Sequence, residues 1–492
     1  MTSSPVHLPV NAASSRRSVV VVALLLAVFM SAMEATVVGT VMPTVVADLG
    51  GLVLYGWVSS SDLLASTVSV PLYGKLADLY GRRPMLVLGI AIFLLGSIWS
   101  GFATTIESLI AARTLQGLGA GAIQPVTFTI LGDLYTLKER GRIQAFFGMV
   151  WGLAGAFGPF LGGLIVEALS WRWVFWINIP FGIASCAVLF AAFHERHERR
   201  QVRLDWLGAL LLTLGSVALL LAAQRTMLWL FVPLTVVLLG LFIVVEKRAS
   251  EPVVPLDMAF ERSVMIASLS AILLGASMTG AVTFLPLLAQ GLIGASPTEA
   301  GSTIAPMILG WPIAAAFTSR AITRIGFRLP IQLGAFVIAI ALGLLAYMAE
   351  HASRELGLWP VRGCMFVFGS GMGFASTALL LAVQTSVGAE QRGVATALNI
   401  FSRSIGGAIG VGALGAVFSL IVGAQLPEEA VAGLLDRDRG DVAPGTLHAL
   451  ADGLRPVFRT LAALGILNAF IVAFYPKTNV APGELSAPSP AH

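Results

Sequence analysis

The chain has 492 residues, of which 57% are hydrophobic and only 11% charged, with a formal net charge of +4. Soluble domains carry about a quarter charged residues, so this composition excludes a soluble enzyme and a disordered chain. Cys186 and Cys364 both fall in apolar runs, which gives no sign of a disulfide framework.

In chain order, the first apolar run covers 19–42. Arg16 and Arg17 precede it as in a cleaved leader, but the run continues through Val41 and Met42. A leader's apolar core is about 7–15 residues, so a retained helix is predicted. Further runs follow at 52–74, 85–103, 108–134, 142–168, 173–193, 204–223, 227–245, 263–290, 300–318, 329–348, 357–383, 393–424 and 457–475. Most exceed the roughly 20 residues that cross about 30 Å of hydrocarbon. The predicted fold is therefore an all-α integral membrane bundle of fourteen transmembrane helices. The 52 glycines and 24 prolines fit that reading, because small residues let membrane helices approach closely and neighbours satisfy backbone groups freed by proline.

Charge sets the expected orientation. With the N-terminus inside, 20 of the 30 Lys and Arg fall on the cytoplasmic side, from Arg16, Arg17, Lys75, Arg82 and Arg83 to Arg392 and Lys477. Eight fall opposite, and Arg113 and Arg403 lie within spans. This positive-inside bias places both termini in the cytoplasm of an inner-membrane protein. The net charge then reports topology, and no nucleic-acid partner is expected.

The chain also contains a weak copy of itself. Gly117, Gly119, Gly121, Arg140–Gly141, Gly155 and Gly158 recur at an offset of 252 as Gly369, Gly371, Gly373, Arg392–Gly393, Gly407 and Gly410. Gly81 and Arg83 recur at 245 as Gly326 and Arg328. Matching glycines mark matching helix approaches, so two halves of one fold are predicted. The expected division is a tail over 1–18, a six-helix half over 19–198, two additional helices over 199–248, a second half over 249–476 and a tail over 477–492. His194–Arg203 reads as a solvated link and 425–456 as a long polar extracytoplasmic loop.

Charges inside spans are costly unless they line a cavity or find a partner. Glu34, Asp62, Arg113 and Arg403 are the main ones. Gly74-Lys-Leu-Ala-Asp78-Leu-Tyr-Gly81-Arg82-Arg83-Pro84 joins spans two and three. A glycine turn there predicts a gating latch, with Asp78 holding a helix terminus or an arginine in one conformation. Arg113-Thr-Leu-Gln116-Gly-Leu-Gly119 occupies span four. Gly152, Gly155, Gly158-Pro159 and Gly162-Gly163 give span five a smooth surface able to slide against a neighbour. These strings, with Trp171-Arg-Trp-Val-Phe-Trp-Ile-Asn178-Ile-Pro180 and Met33-Glu34-Ala-Thr-Val-Val38, resemble the fourteen-helix drug:proton antiporter family of the major facilitator superfamily. Two positions depart from its pattern: Glu34 stands where Asp is usual and Asp62 where Tyr is common. In the second half, Thr323 replaces the acidic counterpart of Asp78, so a weaker second latch is expected.

The resemblance implies a non-enzymatic exporter of amphipathic, cationic compounds, driven by the proton gradient without another cofactor. Its partners would be protons, small organic substrates and membrane lipid, and it would work as a monomer. Glu34 and Asp62 are expected to exchange protons for cationic substrate, with Arg113 preventing permanent protonation of its nearest partner. Gln116, Gln124, Asn178, Asn399 and Arg403 are candidate cavity contacts. Lipids, tetracycline-like compounds and other specialised metabolites are alternative cargoes. No phosphate-binding loop and no tight histidine cluster is present in the sequence, so neither nucleotide drive nor a metal site is predicted.

Overall fold

The computed structural model describes residues 10–49, 55–195, 205–223, 227–249, 252–295, 297–353, 356–423 and 444–477. Among them are fourteen helices of fifteen residues or more. They are α1 Val10–Leu49, α2 Tyr55–Tyr80, α3 Arg82–Gly101, α4 Ile106–Leu134, α5 Leu137–Ala168, α6 Asn178–Ala192 and α7 Trp206–Ala223. Then come α8 Leu228–Glu246, α9 Arg262–Leu288, α10 Ala305–Ile325, α11 Arg328–Glu350, α12 Trp359–Ser386, α13 Arg392–Gly423 and α14 Pro444–Ala473.

Local signals set several boundaries. The Thr105 side chain accepts from the Ser108 N–H at the start of α4. Thr136 and Glu139 form a reciprocal capping box at α5. Gly81, with φ +99°, makes the sharp turn between α2 and α3, a conformation that favours glycine. Asp78 consequently sits in the last turn of α2, which runs six residues beyond the predicted span, rather than in the turn itself.

Ten helices among the described residues are long and apolar enough to cross a membrane. α2, α4 and α5, at 26, 29 and 32 residues, are long enough but fall outside that apolar set. They also carry Asp62, Arg113 and the glycine-rich surface. α7 forms only a shorter apolar helix. The protein is thus a multi-pass integral membrane protein.

Packing repeats along the chain. α1 packs on α5 and α6, α4 on α2 and α3, and α3 on α6. The same five pairings recur as α9 on α13 and α14, α12 on α10 and α11, and α11 on α14. The two sets meet along two seams, α2 against α13 and α5 against α10. α7 lies over the first seam, where Leu220 packs with Leu64, Val68 and Ile405. α8 leaves most of its surface exposed, as a lipid-facing helix does.

One part of the expected polar loop is helical. α14 starts at Pro444, and Leu450, Leu454, Val457, Phe458 and Leu461 are buried on one face. Asp452, Arg455 and Arg459 occupy its more accessible face, so an amphipathic turn resembled loop sequence. The remainder of that loop, residues 425–443, lies outside the described residues, as do 1–9, 196–204 and 478–492.

Candidate transport site

Five helices, α1, α2, α3, α4 and α6, deliver side chains to one buried network. Glu34 comes from α1, Asp62 from α2, Ser97 from α3, Arg113 and Gln116 from α4, and Asn178 from the start of α6. The Arg113 guanidinium donates to Glu34 Oε1 and to Gln116 Oε1 at 2.5 Å. Its other terminal nitrogen lies 3.2 Å from Asp62 Oδ2. Asn178 Nδ2 donates to Glu34 Oε2 at 2.5 Å and to Ser97 Oγ at 3.0 Å. Ser97 Oγ also accepts from Gln116 Nε2 at 3.2 Å and donates to the Phe175 carbonyl at 2.8 Å. Ser97 closes this network, yet a single serine in an apolar run gave no signal in the sequence.

The two carboxylates are unequal. The side chains of Glu34 and Arg113 are each 3% exposed, whereas that of Asp62 is 21% exposed. Both oxygens of Glu34 accept hydrogen bonds, while Asp62 Oδ1 has no partner. With both acids ionised, this cluster carries one net negative charge. Glu34, Asp62, Gln124, Trp151, Ile400 and Ser404 help to line a cavity of about 210 Å³ at this site. That volume is below the roughly 300–1,000 Å³ of sites for drug-sized ligands. A larger depression of about 660 Å³ between α11 and α14 is an open surface feature remote from these acids.

The repeat does not extend to this chemistry. Gly117 abuts Asp62, and Gly369 abuts Met307 in the corresponding approach. Gly119 abuts Gly89 as Gly371 abuts Gly334, and Gly121 abuts Ser66 as Gly373 abuts Trp311. The register between α1 and α9 follows from Gly158 against Thr36 and Gly410 against Ala276. In these registers Glu34, Asp62, Arg113 and Gln116 correspond to Leu274, Met307, Met365 and Phe368. All four of the latter belong to one buried hydrophobic cluster. Similar backbone packing therefore surrounds a polar network in one set of helices and an apolar core in the other.

A second polar cluster joins the α2–α13 seam. Asp78 accepts from the N–H groups of Gly393 at 3.1 Å and Val394 at 2.9 Å, at the start of α13. It also pairs with Arg82 at 2.9 Å. Asp133 receives Arg82 at 3.1 Å and Arg392 at 2.5 Å. Glu195, expected within a solvated link, instead accepts from the N–H groups of Arg82 and Arg83 at 3.0 and 2.9 Å. Those orphan donors begin α3, which explains why a carboxylate is drawn there. Arg83 donates to the Phe190 carbonyl at 3.1 Å, and Gly74 packs against Gly393 and Ala397.

On α5, Gly152 and Gly155 face Ile308 of α10, and Gly158 faces Thr36 of α1. Gly162 is buried and Gly163 exposed, while the Pro159 side chain lies outside the described residues. Asn399 and Arg403 are not brought into the Glu34–Arg113–Asp62 network. Near the opposite end of α1, Asp48 accepts from Trp171 at 2.9 Å and Arg172 at 3.0 Å. These bonds, Trp171 first, hold its carboxyl below the ordinary carboxylate range. Among the described residues, no group of three or more His, Cys, Asp or Glu is placed to hold a metal ion.

Residues 24–411 match the family model described as Major Facilitator Superfamily. The chain belongs to the major facilitator superfamily. It is 36% identical over 426 residues to Multidrug transporter protein MdtP of Bacillus subtilis (strain 168), covering 85% of this chain and 78% of that protein. Multidrug resistance protein 3 of the same organism is 35% identical over 408 residues, covering 81% and 79%. The solved structure of the major facilitator proton:xylose symporter XylE, bound to 6-bromo-6-deoxy-D-glucose, has a TM-score of 0.64 at 14% identity. That match covers 94% of this chain and 96% of XylE, and it shows the shared fold. The protein is accordingly a major facilitator transport protein related to multidrug transporters.

Proposed function

We propose that this chain is a fourteen-span drug:proton antiporter that exports amphipathic, cationic organic compounds across the cytoplasmic membrane. The observation that carries this reading is the single Arg113 guanidinium between Glu34 and Asp62 on a shared cavity. Two carboxylates and one guanidinium leave a net negative charge that one proton or one monovalent cation neutralises. Proton and substrate then compete for the same electrostatic vacancy, and each expels the other. Asp62 is the exchangeable group because it is the more accessible acid and has an unpartnered oxygen. Glu34, with both oxygens engaged, holds Arg113 in position.

The fourteen spans are the ten apolar helices together with α2, α4, α5 and α7. Polar residues in α2 and α4 face the bundle interior, where membrane proteins keep them. α1–α6 and α9–α14 form two repeated halves, with α7–α8 as the additional pair. The Asp78 and Asp133 bonds to α13 hold the basic, cytoplasmic end shut in this conformation. Opening there admits substrate, and rocking about the two seams exposes the same cavity on the other side. No subunit contact is required by this scheme, so a monomer suffices.

Inverted membrane vesicles test it. Adding a lipophilic monocation should release protons from acidified wild-type vesicles, and Asp62→Asn should abolish that release. Wild-type vesicles that accumulate the cation without moving protons would replace antiport by uniport. Transport of lipids or neutral specialised metabolites alone would replace the proposed cation class.

A further inference from the structure

The mechanism above leaves one intramembrane charge unused. Arg403 lies within α13, and its guanidinium has neither an ion pair nor a hydrogen bond among the described residues. One helical turn earlier, Asn399 is buried and its Nδ2 lacks an acceptor. Residues four apart stack on one helix face. An unpaired cation at membrane depth and an adjacent unpaired donor are each costly. Together they form a vacancy for an acceptor that is itself negatively charged.

The repeat indicates where this vacancy opens. At the offset of 252 that aligns α4 with α12 and α5 with α13, Arg403 corresponds to Trp151 and Asn399 to Phe147. Trp151 lines the cavity containing Glu34 and Asp62. Ile400 and Ser404, which flank Arg403 on α13, line that cavity as well. Glu34 and Asp62 line it from one set of helices; Arg403 and Asn399 are not lining residues themselves but adjoin Ser404 and Ile400, which line it from the other. The side formed by α13 carries no acid, and the free donors lie next to its lining.

We propose that Arg403 and Asn399 form an anion-receiving subsite, so that the favoured substrates are zwitterionic amphiphiles bearing a cation and a carboxylate. This inference rests on the transport reading above and narrows its substrate class. The cationic group meets Asp62, and the carboxylate accepts from Arg403, with Asn399 supplying an additional donor. Arg403 suits this task because its planar fork can donate two parallel hydrogen bonds to one carboxylate. α13 also makes the inter-seam bonds to Asp78 and Asp133, so ligand bound across the cavity bridges the elements that must move.

Two rhodamines sharing the same cationic ring system, one with a free carboxylate and one with its methyl ester, provide the test. Their binding to the purified full-length protein and their proton-coupled uptake into proteoliposomes are measured side by side. The wild type should bind the acid roughly tenfold more tightly than the ester, the scale of one charge-assisted contact. Arg403→Gln should remove that preference while leaving ester binding within about twofold, and Arg403→Lys should restore part of it. Asn399→Leu should reduce the preference less. Equal binding of the two dyes by wild type, or equal weakening of both by Arg403→Gln, would overturn the subsite. The latter result would assign Arg403 to an internal ion pair in another conformation. If Arg403→Gln does not fold, the wild-type dye preference and Asn399→Leu decide. Proton-coupled ester transport without an acid preference would sink the subsite and spare antiport, whereas dye binding without proton movement would sink antiport itself.

Discussion

Replacing Asp78 with Asn should open the α2–α13 seam. The carboxylate accepts two backbone hydrogen bonds from the start of α13 and one ion-pair contact from Arg82. Charge-assisted hydrogen bonds contribute at least about 1.5 kcal/mol each, and a neutral amide retains one bond of about 1 kcal/mol. Arg82 keeps Asp133, so its charge is not orphaned. The net loss is about 2 kcal/mol, or a roughly 30-fold shift towards the open seam. Tyr80, at the end of α2, and Gln391, just before α13, are both exposed and suit spin labels. Double electron–electron resonance should show one short distance in the parent protein and a longer population in Asp78→Asn. Glu195→Gln supplies the control, because Glu195 binds Arg82 and Arg83 without crossing the seam. Unchanged distances in Asp78→Asn, or equal widening in the control, would refute the latch assignment.

Three further perturbations examine the network, the helix approaches and the distal ion pair. Arg113→Met leaves the buried Glu34 carboxylate without its countercharge and should cost about 3–5 kcal/mol in detergent unfolding. Adding Glu34→Gln should recover much of that loss, and no recovery would contradict the pairing. Gly119→Val places side-chain atoms on the Phe93 and Gly89 backbone and should abolish folded yield. Gly163→Ala meets nothing within 4 Å and should be tolerated, so equal loss in both variants would contradict the packing. Asp48 has its pKa depressed in the folded protein, so its contribution is present above the ordinary carboxylate value and lost as pH falls through the depressed one. Asp48→Asn should therefore lower the melting temperature at pH 7 and pH 5, with the difference from wild type closing in strong acid. A difference that grows with acidification would reverse the assigned sign.

Charges were readable because hydrocarbon makes them rare: Glu34, Asp62 and Arg113 stood out singly and meet in space. The glycine offsets were readable because close helix approach tolerates no side chain, as Gly117 and Gly369 show. Partners outside such patterns were not. Ser97 is an ordinary small residue in an apolar helix, and Glu195 lies in a segment whose charges suggested solvent. Asp133 and Arg392 meet across 259 positions of sequence. The start of α14 was hidden because charges on its accessible face masked the buried Leu450, Leu454 and Phe458 periodicity. The chemical asymmetry of the repeat emerged only when Met307 and Met365 could be placed opposite their polar counterparts.

Proton release on substrate binding is the most direct test of the exchange mechanism. The purified protein is titrated with a permanently charged lipophilic monocation in weakly buffered detergent solution while pH is recorded. Competition for one net negative charge predicts about one proton released per cation bound in the wild type, with the value falling as rising pH empties the site beforehand. Asp62→Asn should release none. Cation binding without proton release across the titration range, or unchanged release from Asp62→Asn, would contradict the account.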